Sequence, residues 1–329
     1  MRKSIFVLFL FSTILNVTCC FATTNVINPN SHRSHNSYRA FLVDYCEETN
    51  QYWMAVNAPL VLFGEPMDLP PLFHIYHLNQ DFSAIERVHS TVNRIHALLP
   101  TKNGLFYREQ KFLHPMATDI TFYDTQTNRH QQALKIYPSV FYAYSNDLLY
   151  YCKGVNDVYH DHLCVYDMNT KQNKALLKYD DILGYDCSNF YYVDDNGIQM
   201  YLDFSTQKSY PFYMPGGVSH IYKGYMLNEV DGILYNSKQE KISVPFVKDA
   251  YTVVLSDQYI CALIVEEEGC MLRYAKTETP NVVIEVNILS HVYNANVNLC
   301  NNKVFFYTKL NQEITCIDLE TGTLQVITF

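Results

Sequence analysis

The sequence predicts an all-β chain built from repeated units of four short strands, and three observations carry that prediction. The composition favours strands: of 329 residues, 48% are hydrophobic, with 28 Tyr and 19 Phe against 11 Gly. A D-x-x-T turn recurs along the chain. The turns are separated by about the length of four strands and their connections.

The recurrence is clearest where DITFYDTQTNRHQQALKIYP is followed by HLCVYDMNTKQNKALLKYD. Four copies pair an Asp with a Thr three residues on: Asp124 with Thr127, Asp167 with Thr170, Asp203 with Thr206 and Asp318 with Thr321. The chemistry is local. An Asp carboxylate accepts from backbone N–H groups two residues on, and the Thr hydroxyl closes the same turn. The residue that follows is Asn128, Lys171, Gln207 or Gly322, and Gly and Asn suit the positive φ of a bulged hairpin. Worn copies stand at Tyr76-His77, Tyr235-Asn236 and Tyr274-Ala275. The seven anchors at 77, 124, 167, 203, 236, 275 and 318 are separated by 47, 43, 36, 33, 39 and 43 residues. A period near 40 with four strands per unit marks propeller blades.

Each unit reads the same way. Residues 139–145, 147–152, 162–167 and 174–179 form four strands, and the pattern repeats as ILGYDCS, NFYYVDD, IQMYLD and QKSYPFY and again over the last 40 residues or so. Second strands such as LLYYC and VFFY are apolar on both faces, as a sheet packed between two neighbours requires. Asp231-Gly232 and Asn196-Gly197 read as two-residue hairpin turns joining second and third strands. The fold class is therefore a seven-bladed β-propeller of four-stranded antiparallel blades. It spans residues 38–329, with no strand exchanged between the two ends.

The amino terminus carries Arg2 and Lys3, an apolar run from Ile5 to Val17 and small residues at Cys20 and Ala22, a secretory signal pattern. The run is shorter than the roughly 20 residues a membrane span needs. Cleavage after Ala22 is expected to yield an exported chain without a membrane span, secreted or held in the cell envelope, with residues 23–37 a polar, flexible lead-in. Lipidation at Cys19 or Cys20 is disfavoured, because Asn16 stands where a lipobox places Leu or a similar residue. Loss of the signal makes the chain more acidic than its net −9, and no Lys/Arg cluster is present, which excludes a nucleic-acid partner.

These features resemble those of secreted bacterial β-propellers with kelch-like or WD40-like blades, including propeller domains of unknown function. The resemblance covers residues 38–329 and rests on the D-x-x-T turn and the blade period. The kelch double glycine and the Trp-Asp dipeptide of WD40 blades are absent. The resemblance implies a binding or scaffold module, and function has to be argued from a site.

Eight cysteines follow the signal. Cys152 with Cys164, Cys261 with Cys270 and Cys300 with Cys316 fall on consecutive strands where disulfides are conceivable in an exported protein, while small buried thiols are the simpler reading. Cys46 and Cys300 end the inner strands of the first and last blades and stand too far apart to latch the ring.

In a propeller, connections from second to third strands share one face with those joining successive blades. On that face the connections are long in the first three blades, at residues 58–71, 109–117 and 153–162, and shrink to turns later; the blade-joining YMPGG at 213–217 lies there too. Binding concentrates on such loops. The candidate site is Glu65, Asp68, Phe112, His114, Asp157, Tyr159, His160 and Asp161, with the aromatic rings for apolar contact and the charged groups for orientation. The expected ligand is a protein or a glycan. No catalytic residue, cofactor or metal is assigned: His160, His162 and Asp157 lack further ligands for a metal, and no G-x-S-x-G elbow occurs. The alternative is a carbohydrate-active enzyme on the same scaffold, with Glu65 and Asp157 as its carboxylate pair.

Overall fold

A computed structural model describes residues 41–58, 61–62, 65–66, 72–112, 118–136, 140–152, 161–266, 269–288, 297–308 and 313–327. The signal segment and lead-in lie outside this set. The described residues form seven four-stranded antiparallel sheets in chain order, plus a two-stranded ribbon and one 3-10 turn, Pro245–Val247.

Each sheet is a blade. Blade 1 comprises Phe41–Cys46, Gln51–Ala58, Leu72–Leu78 and Ile85–Thr91, and blade 7 comprises Val297–Cys300, Lys303–Thr308, Glu313–Asp318 and Leu324–Ile327. Within each blade the four strands pair antiparallel in chain order, so no blade borrows a strand from the other end of the chain.

Apolar residues on both faces of each blade have a partner blade to meet. In blade 3, Tyr150 and Cys152 of the second strand pack towards blade 4, and Leu149 and Tyr151 of the same strand pack towards blade 2. Seven such clusters run round the ring. The one that closes it sets Phe41, Val43, Tyr52 and Met54 of blade 1 against Cys300, Phe305, Ile314, Cys316 and Ile327 of blade 7. There the Cys300 thiol donates to the Val43 carbonyl oxygen at 3.2 Å. The ring is therefore closed without a shared strand, by side-chain packing and side-chain hydrogen bonds such as this one.

The D-x-x-T turns join third to fourth strands. Asp124, Asp167, Asp203 and Asp318 each accept from the backbone N–H groups two and three residues on, between 2.7 and 3.3 Å. Asn128, Lys171, Gln207 and Gly322 adopt φ of 53°, 59°, 55° and 69°. The worn copy in blade 5 keeps the device with an amide: Asn236 Oδ1 accepts from the Lys238 and Glu240 N–H groups, and Gln239 takes the positive φ of 62°.

One expectation is corrected. The connections bearing Asn196-Gly197 and Asp231-Gly232 are longer than two residues, spanning 194–198 and 229–232. In the first, Asp194 Oδ1 accepts from the Asn196 and Ile198 N–H groups, and the carboxylate caps the loop that a two-residue turn would have closed by backbone alone. The cysteines follow the simpler of the two readings: none of the eight from Cys46 to Cys316 forms a disulfide, and all but Cys187 are buried. Cys152 pairs with Leu163 and Cys164 with Tyr151, an offset of one residue that puts the two thiols on opposite faces of blade 3.

Candidate functional site

The blades present two unlike faces. One, the turn face, carries the tight connections from first to second and from third to fourth strands. The other, the loop face, carries the second-to-third and blade-joining connections.

The turn face is polar and stapled. Asp186, almost wholly buried, accepts from the Ser188 and Asn189 N–H groups through Oδ1 and from the Tyr191 hydroxyl and the Lys223 N–H through Oδ2, at 2.7–3.0 Å. It thereby ties blade 4 to blade 5. The Lys223 ammonium continues the network to Asp257 of blade 6 at 3.0 Å and to Glu47 of blade 1 at 3.8 Å. Blades 1 and 5 are not neighbours in the ring, so this pair reaches across the central opening and narrows it on this side.

The loop face differs in its exposed residues. Thirteen large apolar side chains are exposed among the described residues, and seven belong to this face: Val92, Phe112, Ile198, Tyr213, Val230, Tyr251 and Val265. Two, Val282 and Val283, belong to the turn face, and the other four sit on outermost strands. Val230 is 77% and Tyr213 62% exposed, values that leave both side chains without a packing role in the ring. Local chemistry puts them there. Val230 stands between Asn228 and Asp231, whose side chains hydrogen-bond at 2.8 Å across its turn. Gly217 ends the Tyr213 loop at φ 79°, and a Cβ there would stand 2.6 Å from Asn228 Nδ2.

The residues chosen from sequence fare unevenly. Phe112 is exposed, and its N–H donates to Asn93 Oδ1 at 3.0 Å, which fixes the start of its loop. Asp161 is part-exposed and turns back to the scaffold, with its carboxylate 2.7 Å from His162 Nδ1 and 3.7 Å from Lys178 Nζ. Glu65 lies in a small ribbon, Val61–Leu62 paired with Glu65–Pro66, inside what reads as a plain loop. Asp68, His114, Asp157, Tyr159 and His160 lie outside the described residues. Among the described residues no three His, Cys, Asp or Glu side chains converge as metal ligands, and no helix is long and apolar enough to cross a membrane.

Beyond the YMPGG connection, sequence reasoning missed the share of blades 4 to 6. Attention to loop length passed over short turns whose tips carry an apolar residue, as in NEVDG and DDNGI. An apolar side chain at a turn tip has no blade to pack on, and that was the available signal.

No family model and no curated protein matches the chain. Solved structures do match in fold. The β-propeller domain of the Trilobed protease from Pyrococcus furiosus, described as having an open velcro topology, is similar at TM-score 0.56 and 8% identity over 88% of this chain and 99% of that one. The apo AztD protein from Citrobacter koseri is similar at TM-score 0.50 and 10% identity, over 86% of this chain and 84% of that one. The tricorn protease matches at TM-score 0.50 and 9% identity over 90% of this chain, which spans 36% of that protein. At such identities the likeness extends to architecture alone, and the chain is a seven-bladed β-propeller.

Proposed function

We propose that the chain is an exported, noncatalytic binding or scaffold propeller that recognises a protein or a glycan through its loop face. The observation that carries this reading is the concentration of exposed apolar side chains on that face, seven of the thirteen among the described residues, against two on the turn face. Exposed apolar groups gathered on one side of a rigid scaffold mark interaction sites. The sequence pattern supports adding the long loops of the first three blades to this surface, with Glu65, Asp68, Phe112, His114, Asp157, Tyr159, His160 and Asp161 as the expected contacts. Export rests on the signal pattern of residues 1–22.

The test is a binding screen of the chain from residue 23 against glycans and extracellular proteins. A Phe112→Ala/Tyr213→Ala/Tyr251→Ala variant and a turn-face variant, Lys238→Ala/Glu320→Ala, serve as controls. Binding lost in the first and kept in the second supports the reading. Loss only in the turn-face variant overturns it.

A further inference from the structure

The loop face of blades 4 to 6 carries a second property besides its apolar studs, namely charge. Its connections hold Asp180, Asp194, Asp195, Glu229, Asp231 and Asp249, against Lys178 and Lys248 as the cations beside them. The two lysines offset only part of this charge: six carboxylates against two ammonium groups leave an excess of four negative charges. Lys178 is divided between Asp195 at 3.3 Å and Asp161 at 3.7 Å, and Lys248 lies along its own blade over Gly232.

Two of the carboxylates are fixed by hydrogen bonds from their surroundings. The Ile198 N–H and the Asn196 N–H keep the Asp194 carboxyl below its ordinary range. Glu229 is kept low by the hydrogen bond from His220 Nε2, at 2.8 Å, to its Oε2. Interleaved with them on the same three blades are Ile198, Tyr213, Val230, Tyr251 and Val265. Tyr213 and Tyr251 stand on blade-joining connections, and Ile198 and Val230 on second-to-third turns.

An anionic surface studded with apolar and aromatic groups repels acidic glycans and nucleic acids. Complementarity selects cations that also bring apolar side chains. We infer that this sector of the loop face docks a cationic polypeptide segment, one that alternates Lys or Arg with large apolar residues. The inference rests on the binding reading above and names the partner's chemistry. Arg and Lys of the segment would meet the turn carboxylates, and their neighbours would cover Tyr213, Val230 and Tyr251. Tyr is well suited to this, since its ring offers apolar area and a π face to a guanidinium.

The experiment measures binding of short synthetic peptides to the chain from residue 23 by fluorescence anisotropy. One peptide alternates Lys and Arg with Leu and Phe. A second replaces its cations by Glu, a third replaces its apolar residues by Ser, and a glycan panel is run beside them. Two protein variants are compared: Tyr213→Ser/Val230→Ser/Tyr251→Ser, and Asp195→Asn/Asp231→Asn/Asp249→Asn. All six positions are exposed, and circular dichroism checks that both variants stay folded.

The expected result is binding of the first peptide alone, weakened about tenfold or more in each variant, as for interface positions worth over 1 kcal/mol. Raising salt from roughly 0.05 to 0.3 M should weaken it further by screening. Equal binding of the Ser-substituted peptide would overturn the inference as a mere charge effect, and indifference of the first peptide to either variant would overturn the placement of its site. A glycan bound in place of the peptide and lost in the tyrosine variant would overturn the polypeptide assignment and leave the binding reading standing. Glycan binding indifferent to that variant would overturn both.

Discussion

Single residues of this ring hold more than their own blade. Asp186, itself buried, satisfies three backbone N–H groups and one hydroxyl at the junction of blades 4 and 5, in one buried and three part-buried bonds. Asp186→Ala strands those donors, and each buried orphan costs about 1 to 3 kcal/mol. A loss of at least about 3 kcal/mol is expected in urea unfolding, beside no more than about 0.5 kcal/mol for the exposed Asn196→Ala. Equal effects would show that the staple is not what joins the blades. Asp44, on the innermost strand of blade 1, makes a second case. Burial pushes its carboxyl up to about 7, against the Tyr45 N–H that lowers it. The folded chain then holds a proton that the unfolded chain has already released. Stability from this group is full below about pH 4 and lost as pH rises through 7. Asp44→Asn should therefore raise stability at pH 8 and leave it nearly unchanged at pH 4. His77 and His130 work in the opposite sense: burial lowers both, so their contribution is present above about pH 6.5 and fades on acidification. A pH profile of unfolding in the Asn variant separates the two signs. A profile identical to that of the parent would show that Asp44 is not the group responsible.

Among elements, the third-to-fourth turn is the repeated device, and it explains why so much of the fold was legible. A carboxylate two residues before a bound N–H is a local arrangement, so Asp124, Asp167, Asp203 and Asp318 announce the turn, the strand before it and the strand after it without any long-range knowledge. Asp203→Ala should destabilise by about 1 kcal/mol, the usual value of one such hydrogen-bonded cap, and Asp203→Asn by less, because the amide oxygen still accepts. Asn236 already demonstrates the substitution in blade 5. An Asn variant no better than Ala in thermal unfolding would mean that charge rather than hydrogen bonding sets the turn. Apolar strands identify a blade for the same local reason. What the sequence left hidden is what depends on two chain segments at once: the one-residue offset that separates Cys152 from Cys164, the Asp186 link to the Lys223 N–H, and the gathering of Tyr213, Val230 and Tyr251 from separate connections onto one face. Of the site, Phe112 was found because its loop is long. Val230 was not, because its turn is short.

For the molecule as a whole, the seam between blades 7 and 1 is the junction no chain connection crosses. The six other junctions join blades consecutive in sequence, so when their packing fails the connection still holds the partners near one another. At the seam, Phe305 meets Tyr52 at 5.5 Å and Phe82 at 5.9 Å between ring centroids, and the Cys300 thiol bonds to Val43. Without that packing the two ends are free to part, with the long closed loop of the intervening chain as the entropic cost of rejoining. Phe305→Ala and Phe190→Ala remove similar buried rings, Phe190 from the junction of blades 3 and 4, and each is expected to cost about 3 to 5 kcal/mol. Their consequences should nonetheless differ in place. Hydrogen exchange in Phe305→Ala should rise first in Phe41–Cys46 and Val297–Cys300, below the threshold of global unfolding, because local opening there needs no connection to be stretched. In Phe190→Ala the increase should be spread over the ring or confined to blades 3 and 4 with less amplitude. Matching exchange patterns in the two variants would show that the chain connections contribute nothing to holding blades together, and that every junction, like the seam, is held by its side-chain contacts.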